Sequence, residues 1–170
     1  MEPDFVVIAH DIRSSHNVGS IFRTSDGAGV SKIFLTGYTM CPAVQDAPYL
    51  TRAERDLAKT ALGAERSVVW ERMSDLGELV ERLKREGYEI VALEQSERSI
   101  PYDAYQPQGE KVALLLGAEV DGLSQEALDL SDTVVDIPMR GMKESLNVSV
   151  AFGIAAYHIA GTIKKDTTRV

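Results

Sequence analysis

The sequence predicts an α/β fold, a parallel-sheet three-layer domain. Short apolar runs of four or five residues recur along the chain, and amphipathic helical patterns separate several of them. The 170 residues are 44% hydrophobic and 26% charged, which is ordinary composition for one globular domain. Continuous apolar runs are typical of strands buried on both faces of a parallel sheet, and alternation with helices indicates parallel connections.

Six strands are predicted from these runs. They lie at residues 5–9, 32–36, 67–70, 89–93, 112–116 and 133–137. A helix should follow the first strand, where Val18, Ile21 and Phe22 form a short apolar stripe that Gly27 and Gly29 close. Residues 96–109 contain two prolines and predict a loop.

Two further helices are predicted in the middle of the chain. Residues 50–62 form the first. In the second, Leu76, Leu79, Val80 and Leu83 repeat at i, i+3, i+4 and i+7, and the helix ends at Gly87.

The C-terminal segment, residues 145–165, has apolar side chains on nearly every side of a helix. They are Leu146, Val148, Val150, Phe152, Ile154, Tyr157, Ile159 and Ile163. One stripe facing its own sheet does not account for them, so a second buried face is expected. A central core helix is one explanation, and a homodimer interface is the one we favour.

Charge and cysteine content limit the classes of function. The net charge of −8 argues against a protein that coats nucleic acid through its overall charge, and no DNA partner is expected. No signal peptide or membrane span is predicted. Cys41 is the only cysteine and no histidines cluster, so we expect no disulfide, no metal site and a cytoplasmic location.

Familiar nucleotide-binding motifs are missing. Gly27 and Gly29 lack the third glycine of the dinucleotide-binding fingerprint, and they precede a strand instead of following one. Both features disfavour a nucleotide-dependent oxidoreductase. Three polar segments instead follow predicted strands, at residues 10–23, 117–124 and 137–149. Open α/β sheets bind ligands at such strand ends, although helix caps and solvated charges would also explain these residues individually.

Together the three segments resemble the motifs of the SpoU family of RNA ribose 2′-O-methyltransferases, in the SPOUT superfamily. The similar motifs are Asn17-x-Gly19-x-x-x-Arg23, Gly117-x-Glu119-x-x-Gly122-Leu-Ser, and Ile137-Pro-Met139-x-Gly141 with Ser145-Leu-Asn147-Val-Ser149. The resemblance covers essentially the whole chain. It implies a C-terminal deep trefoil knot that binds S-adenosyl-L-methionine, and a homodimer formed through the C-terminal helix.

The resemblance also implies roles for individual residues. Arg23 would be the principal catalytic residue, with others around it: Asn17, Glu119, Ser145 and Asn147. Five positions would surround the cofactor: Leu93, Gly117, Ile137, Ser145 and Leu146. Methyl transfer to a ribose hydroxyl depends on positioning and local electrostatics, which these residue types supply without a metal.

The expected substrate is structured RNA, with tRNA favoured over rRNA, and residues 1–170 would act without an added RNA-binding domain. The candidate phosphate contacts are basic: Arg13, Arg23, Lys32, Arg52, Arg55, Lys59, Arg140 and Lys143. The alternative function is a catalytically inactive knotted module that binds RNA or protein.

Overall fold

The computed structural model describes residues 4–44 and 46–163. Within them, the strands are β1 (Asp4–His10), β2 (Lys32–Thr36), β3 (Val69–Met73), β4 (Glu89–Leu93), β5 (Ile100–Pro101), β6 (Lys111–Leu116) and β7 (Thr133–Asp136). The helices are α1 (Ser15–Ala28), α2 (Arg52–Ala61), α3 (Ala64–Ser67), α4 (Leu76–Arg85), α5 (Gln125–Asp129) and α6 (Val148–Thr162).

The strands form a single parallel sheet in the order β3-β2-β1-β6-β4-β7-β5. Successive side chains of a strand point to opposite faces, so Phe5 and Val7 pack in one buried cluster while Val6 and Ile8 pack in the other. Helices α1, α2 and α6 cover the first face, and α4 and α5 cover the second. The predicted three-layer α/β architecture is therefore confirmed.

The two edge strands differ from the predictions. The third strand begins at Val69, not at Ser67, because Ser67 ends the short helix α3. As an edge strand, β3 carries the exposed Val69 and the polar Glu71 and Arg72, so it lacks a continuous apolar run. The two-residue strand β5 lies inside the predicted loop, where it pairs only with β7.

The helices begin and end close to the predicted positions. Gly29 ends α1 in the left-handed conformation with φ +73°, which favours glycine, whereas Gly27 lies inside the helix. A Cβ atom at Gly27 would lie 2.8 Å from the hydroxyl oxygen of Tyr157 in α6, so this glycine permits the close approach of the two helices.

Helix α6 is shorter than residues 145–165. It begins at Val148 with Asn147 as its N-cap, and residues 164 and 165 lie outside the described part of the chain. Its buried side belongs to the core of its own chain: Phe152, Ala155, Ala156 and Ile159. On its outer side, Val150 is 52% exposed and Tyr157 is 59% exposed. Ile154 lies between them and is partly exposed. No helix in residues 4–44 and 46–163 is long and apolar enough to cross a membrane.

Candidate active site

An open cleft of about 220 Å³ lies where the carboxyl ends of β4, β6 and β7 meet the start of α6. Polar loops gather there because parallel strands bring their carboxyl ends to one edge of the sheet. All five predicted cofactor residues line it: Leu93, Gly117, Ile137, Ser145 and Leu146. The sequence motifs therefore lie together in space, although far apart along the chain.

Glu119 lies at the rim of the cleft and accepts hydrogen bonds from the segment that follows β1. Its Oε1 accepts from the backbone N–H of Ser14 at 3.1 Å and from Nδ2 of Asn17 at 3.0 Å. Its Oε2 accepts from the backbone N–H of Arg13 at 3.3 Å. The second motif thus holds the first motif in place through one carboxylate.

Asn17 also hydrogen bonds to a residue of the third motif. Its Oδ1 accepts from Nδ2 of Asn147 at 3.1 Å. The Oδ1 of Asn147 in turn accepts from the backbone N–H of Ser149 at 2.9 Å and from its hydroxyl at 2.7 Å, which caps α6. Glu119, Asn17 and Asn147 therefore form a continuous chain of hydrogen bonds across three loops, named here the amide network.

The carboxyl of Glu119 is held in its ionised form. Partial burial alone would raise its pKa, but hydrogen bonds from the Asn17 side chain and from three backbone N–H groups outweigh burial and place the pKa below its ordinary value. A carboxylate with a lowered pKa is a good hydrogen-bond acceptor and a weak base. Glu119 is therefore suited to orient Asn17 and unsuited to accept a proton near neutral pH.

Two glycines of the motifs bring backbone segments of this chain close together. A Cβ atom at Gly117 would lie 2.7 Å from the backbone nitrogen of Leu123, so a larger residue would disturb this turn as well as narrow the cleft. At Gly19 a Cβ atom would lie 2.4 Å from the carbonyl oxygen of Leu57, so Gly19 lets α1 pack closely against α2. Both glycines thus have a role in packing.

Sequence reasoning missed Glu94 and Gln95, which also line the cleft. The Glu94 carboxylate accepts from the backbone N–H of Leu123 at 2.9 Å, and Nε2 of Gln95 donates to the carbonyl of Glu144 at 2.7 Å. These contacts tie the loop after β4 to the loops after β6 and β7. The signal was present, because both residues directly follow a predicted strand end.

Arg23 lies apart from the cleft of its own chain. It is exposed on α1, six residues beyond Asn17, which is about 9 Å along a helix. Among the described residues no hydrogen bond or ion pair involves its guanidinium. Arg23 stands one helical turn before Gly27, which lies close to Tyr157, so it is on the face of α1 that approaches α6.

Four of the other basic candidates have two kinds of environment. Lys32 begins β2 at the opposite edge of the sheet and forms an ion pair with Glu71 at 2.6 Å, so its charge is already compensated. Arg55 donates to the carbonyl of Leu50 at 2.6 Å. Arg13 and Arg140 are exposed and follow β1 and β7 at the carboxyl edge, near the cleft. No cluster of metal-binding side chains occurs in the part of the chain that the structure describes.

Fold and site together define an open α/β protein with a ligand cleft at the carboxyl edge of its sheet. A sequence model of the SpoU rRNA Methylase family matches residues 4–157, and the chain belongs to that family. It is similar to the tRNA (guanosine(18)-2′-O)-methyltransferase of Escherichia coli, with 32% identity over 159 residues that cover 92% of this chain and 62% of that protein. The corresponding Thermus thermophilus enzyme is 32% identical over 158 residues, covering 92% of this chain and 74% of that one. The chain thus spans less than two thirds of the E. coli relative.

Solved structures give the same result. An S-adenosylmethionine-bound rRNA methyltransferase from Sinorhizobium meliloti matches with a TM-score of 0.80 and 25% identity, over 93% of this chain and 56% of that one. The TrmH/SpoU tRNA modifying enzyme of Aquifex aeolicus matches with a TM-score of 0.77 and 27% identity, over 95% of this chain and 76% of that one. The resemblance noted in the sequence is therefore confirmed.

Proposed function

We propose that this protein transfers the methyl group of S-adenosylmethionine to a ribose 2′-hydroxyl in structured RNA, with tRNA favoured over rRNA. The amide network carries the proposal, because it joins all three family motifs beside a cleft lined by the five expected cofactor residues. Relatives in the family are named as tRNA and rRNA 2′-O-methyltransferases, which supports both the reaction and the class of substrate.

The cleft suits S-adenosylmethionine chemically. Leu93, Ile137 and Leu146 supply aliphatic surface for an adenine ring, and the carboxylate of Asp136 supplies negative charge toward a cationic ligand. The S. meliloti neighbour is described with this cofactor bound, which supports the assignment. When bound, S-adenosylmethionine supplies a methyl group activated by a positively charged sulfur.

The amide network would position the ribose. Asn147 uses Nδ2 once, toward Asn17, and each amide nitrogen carries two N–H donors, so one donor remains for a substrate oxygen. Ser145 adds an exposed hydroxyl at the cleft. Because Glu119 is a weak base, the ribose proton would pass to a phosphate oxygen or to water. Arg23 would stabilise the developing negative charge on the 2′-oxygen, since its guanidinium stays protonated.

Arg23 would act in the cleft of a second subunit. The homodimer we propose forms through the exposed apolar side of α6, composed of Val150, Ile154 and Tyr157, which its own chain leaves uncovered. Arg23 is on the face of α1 that approaches α6, so dimerisation through α6 would bring it toward the partner. This explains why a residue expected to be catalytic lies outside the cleft of its own chain.

The remaining parts of the proposal concern the chain as a whole. We propose a deep trefoil knot at the C-terminal end, supported by family membership and by the contact of Gln95 with the backbone of Glu144, which ties the loop after β7 to the loop after β4. Residues 1–170 would form one SpoU-type methyltransferase domain that works in the cytoplasm, where tRNA is found.

Calorimetry tests the cofactor assignment directly. S-adenosylmethionine and S-adenosylhomocysteine should both bind, and NADH should give no heat. Micromolar binding of NADH with no heat from the other two ligands would contradict the proposal and support the oxidoreductase alternative. Cofactor binding without transfer of a labelled methyl group to tRNA would favour the inactive RNA- or protein-binding module.

A further inference from the structure

An exposed aromatic side chain stands beside an exposed cation at the carboxyl edge of the sheet. Tyr38 is 73% exposed and follows β2, and Arg13 follows β1. The guanidinium carbon of Arg13 lies 5.7 Å from the centre of the Tyr38 ring, within the range of a cation–π contact. An aromatic side chain this exposed buries little apolar surface of its own, so the core does not explain its presence.

Hydrogen bonds with two side chains hold the backbone of residues 37–39. The N–H of Tyr38 donates to the Asp11 carboxylate at 2.8 Å. The guanidinium of Arg72 donates to the carbonyls of Gly37 at 2.7 Å and Thr39 at 3.0 Å. Gly37 has φ +59°, and a Cβ atom there would lie 2.0 Å from the Asp11 carboxylate oxygen. The turn is therefore fixed, and the ring is presented to solvent from a rigid base.

The position of the ring relative to the cleft is informative. The cofactor cleft lies over β6, β4 and β7, whereas Tyr38 and Arg13 lie over β2 and β1, on the other side of Glu119. The backbone N–H of Arg13 donates directly to Glu119, so the pair adjoins the amide network. Neighbouring strands are about 4.8 Å apart, which places β2 roughly 10 Å from β6, a distance suited to a nucleotide flanking the reacting one.

We propose that Tyr38 and Arg13 form a stacking platform for an RNA base next to the methylated nucleotide. This inference rests on the proposed function, since the platform would bind the RNA substrate of the proposed methyl transfer. Proteins bind unpaired RNA bases by stacking them on tyrosine rings and arginine planes. Arg13 has no carboxylate partner among the described residues, so its charge also remains available to a phosphate. Stacking tolerates any base, and the platform would position RNA without choosing its sequence.

Steady-state methyl transfer to unfractionated tRNA tests the platform with the full chain. Tyr38→Ala should raise KM for tRNA about tenfold, whereas Tyr38→Phe, which keeps the ring, should stay within about twofold of the wild type. The kcat at saturating tRNA should be unchanged, because stacking binds substrate and transition state alike. Tyr49→Ala is the matched control, since Tyr49 is 89% exposed but has no described cation–π partner. It should leave KM unchanged.

A second readout does not depend on turnover. A short single-stranded RNA containing 4-thiouridine should crosslink to Tyr38 or Arg13 under ultraviolet light, as located by mass spectrometry of the peptides. If wild-type protein transfers no methyl group, the proposed function fails, and the crosslink alone decides on the platform. The inference is overturned if Tyr38→Ala behaves like Tyr49→Ala in KM, if no crosslink reaches this pair, or if Tyr38→Ala dissociates a dimer in light scattering.

Discussion

The side-chain amides of Asn17 and Asn147 are hydrogen bonded at 3.1 Å although 130 positions separate them in the chain. Asn17 lies in the first turn of α1, and Asn147 caps α6. Their contact fixes the starts of these two helices against each other at the edge of the cleft. The residues proposed to act on the ribose are thus held by the same bonds that hold the helices.

Replacing Asn147 should separate catalysis from stability. Asn147→Ala removes the α6 cap and the amide network together, so we expect methyl transfer to fall by two to three orders of magnitude, as on loss of one preorganised donor. The free energy of unfolding should fall by about 1 kcal/mol. Asp75→Ala is the control, because Asp75 caps α4 through the backbone N–H of Glu78 far from the cleft. It should lose similar stability in urea denaturation and keep full activity; equal loss of activity in both variants would contradict the assignment.

Glu119→Gln should destabilise the protein in a pH-dependent way. Hydrogen bonds place the pKa of Glu119 in the folded state below its ordinary value of 4.5, so its ionised form contributes stability above that pH. This contribution is lost as pH falls through the lowered pKa. The difference in unfolding free energy between wild type and variant should therefore be full at neutral pH and shrink in acid below pH 4.5. Urea denaturation across this range measures it, and a difference independent of pH would show that charge is not the cause.

The exposed side of α6 should determine the oligomeric state. Val150→Glu and Tyr157→Glu should give folded monomers in light scattering, because both side chains lie outside the core of their own chain. Phe152→Glu should instead prevent folding, since Phe152 is fully buried in that core and a buried carboxylate is costly. If Val150→Glu and Tyr157→Glu both remain dimeric, α6 is not the interface.

Mixed dimers should reveal which subunit uses Arg23. Arg23→Ala and Asn147→Ala proteins should each be nearly inactive alone. If Arg23 acts in the partner's cleft, a mixed dimer regains one intact site, so an equal mixture of subunits should recover about a quarter of wild-type activity. If Arg23 acts within its own chain, both sites of every mixed dimer are damaged and the mixture should remain inactive.

Much of the fold was predictable because buried parallel strands and amphipathic helices leave simple patterns. The central strands over residues 5–9, 32–36, 89–93 and 112–116 were predicted within two residues of their observed ends. The prediction for the edge strand β3 was wrong in its bounds, because the adjacent polar residues Glu71 and Arg72 interrupt the apolar run. The apolar pattern on nearly all sides of α6 predicted a second buried face. The pattern did not show which side packs in the core, and only the structure shows that Phe152 is buried there while Val150 is exposed.

The sequence was sufficient to predict which residues form the candidate site, but not how they are arranged. All five positions predicted to surround a cofactor line the cleft, and three motif residues form the amide network. The hydrogen-bond partners, the lowered pKa of Glu119 and the part played by Gln95 depend on contacts between distant segments, which spacing along the chain does not encode. Arg23 is the clearest case, since its motif predicted a role while only the structure shows its distance from the cleft.

The proposed reaction is transfer of a methyl group to a ribose oxygen. The decisive experiment incubates wild-type protein with labelled S-adenosylmethionine and unfractionated tRNA. The RNA is then digested to nucleosides and analysed by mass spectrometry. We expect a 2′-O-methylated nucleoside that carries the label on its sugar, and we expect this product to be lost with Asn147→Ala. Label found on a base would show that the proposed reaction is wrong, and undiminished transfer by Asn147→Ala would show that the amide network is not part of the active site.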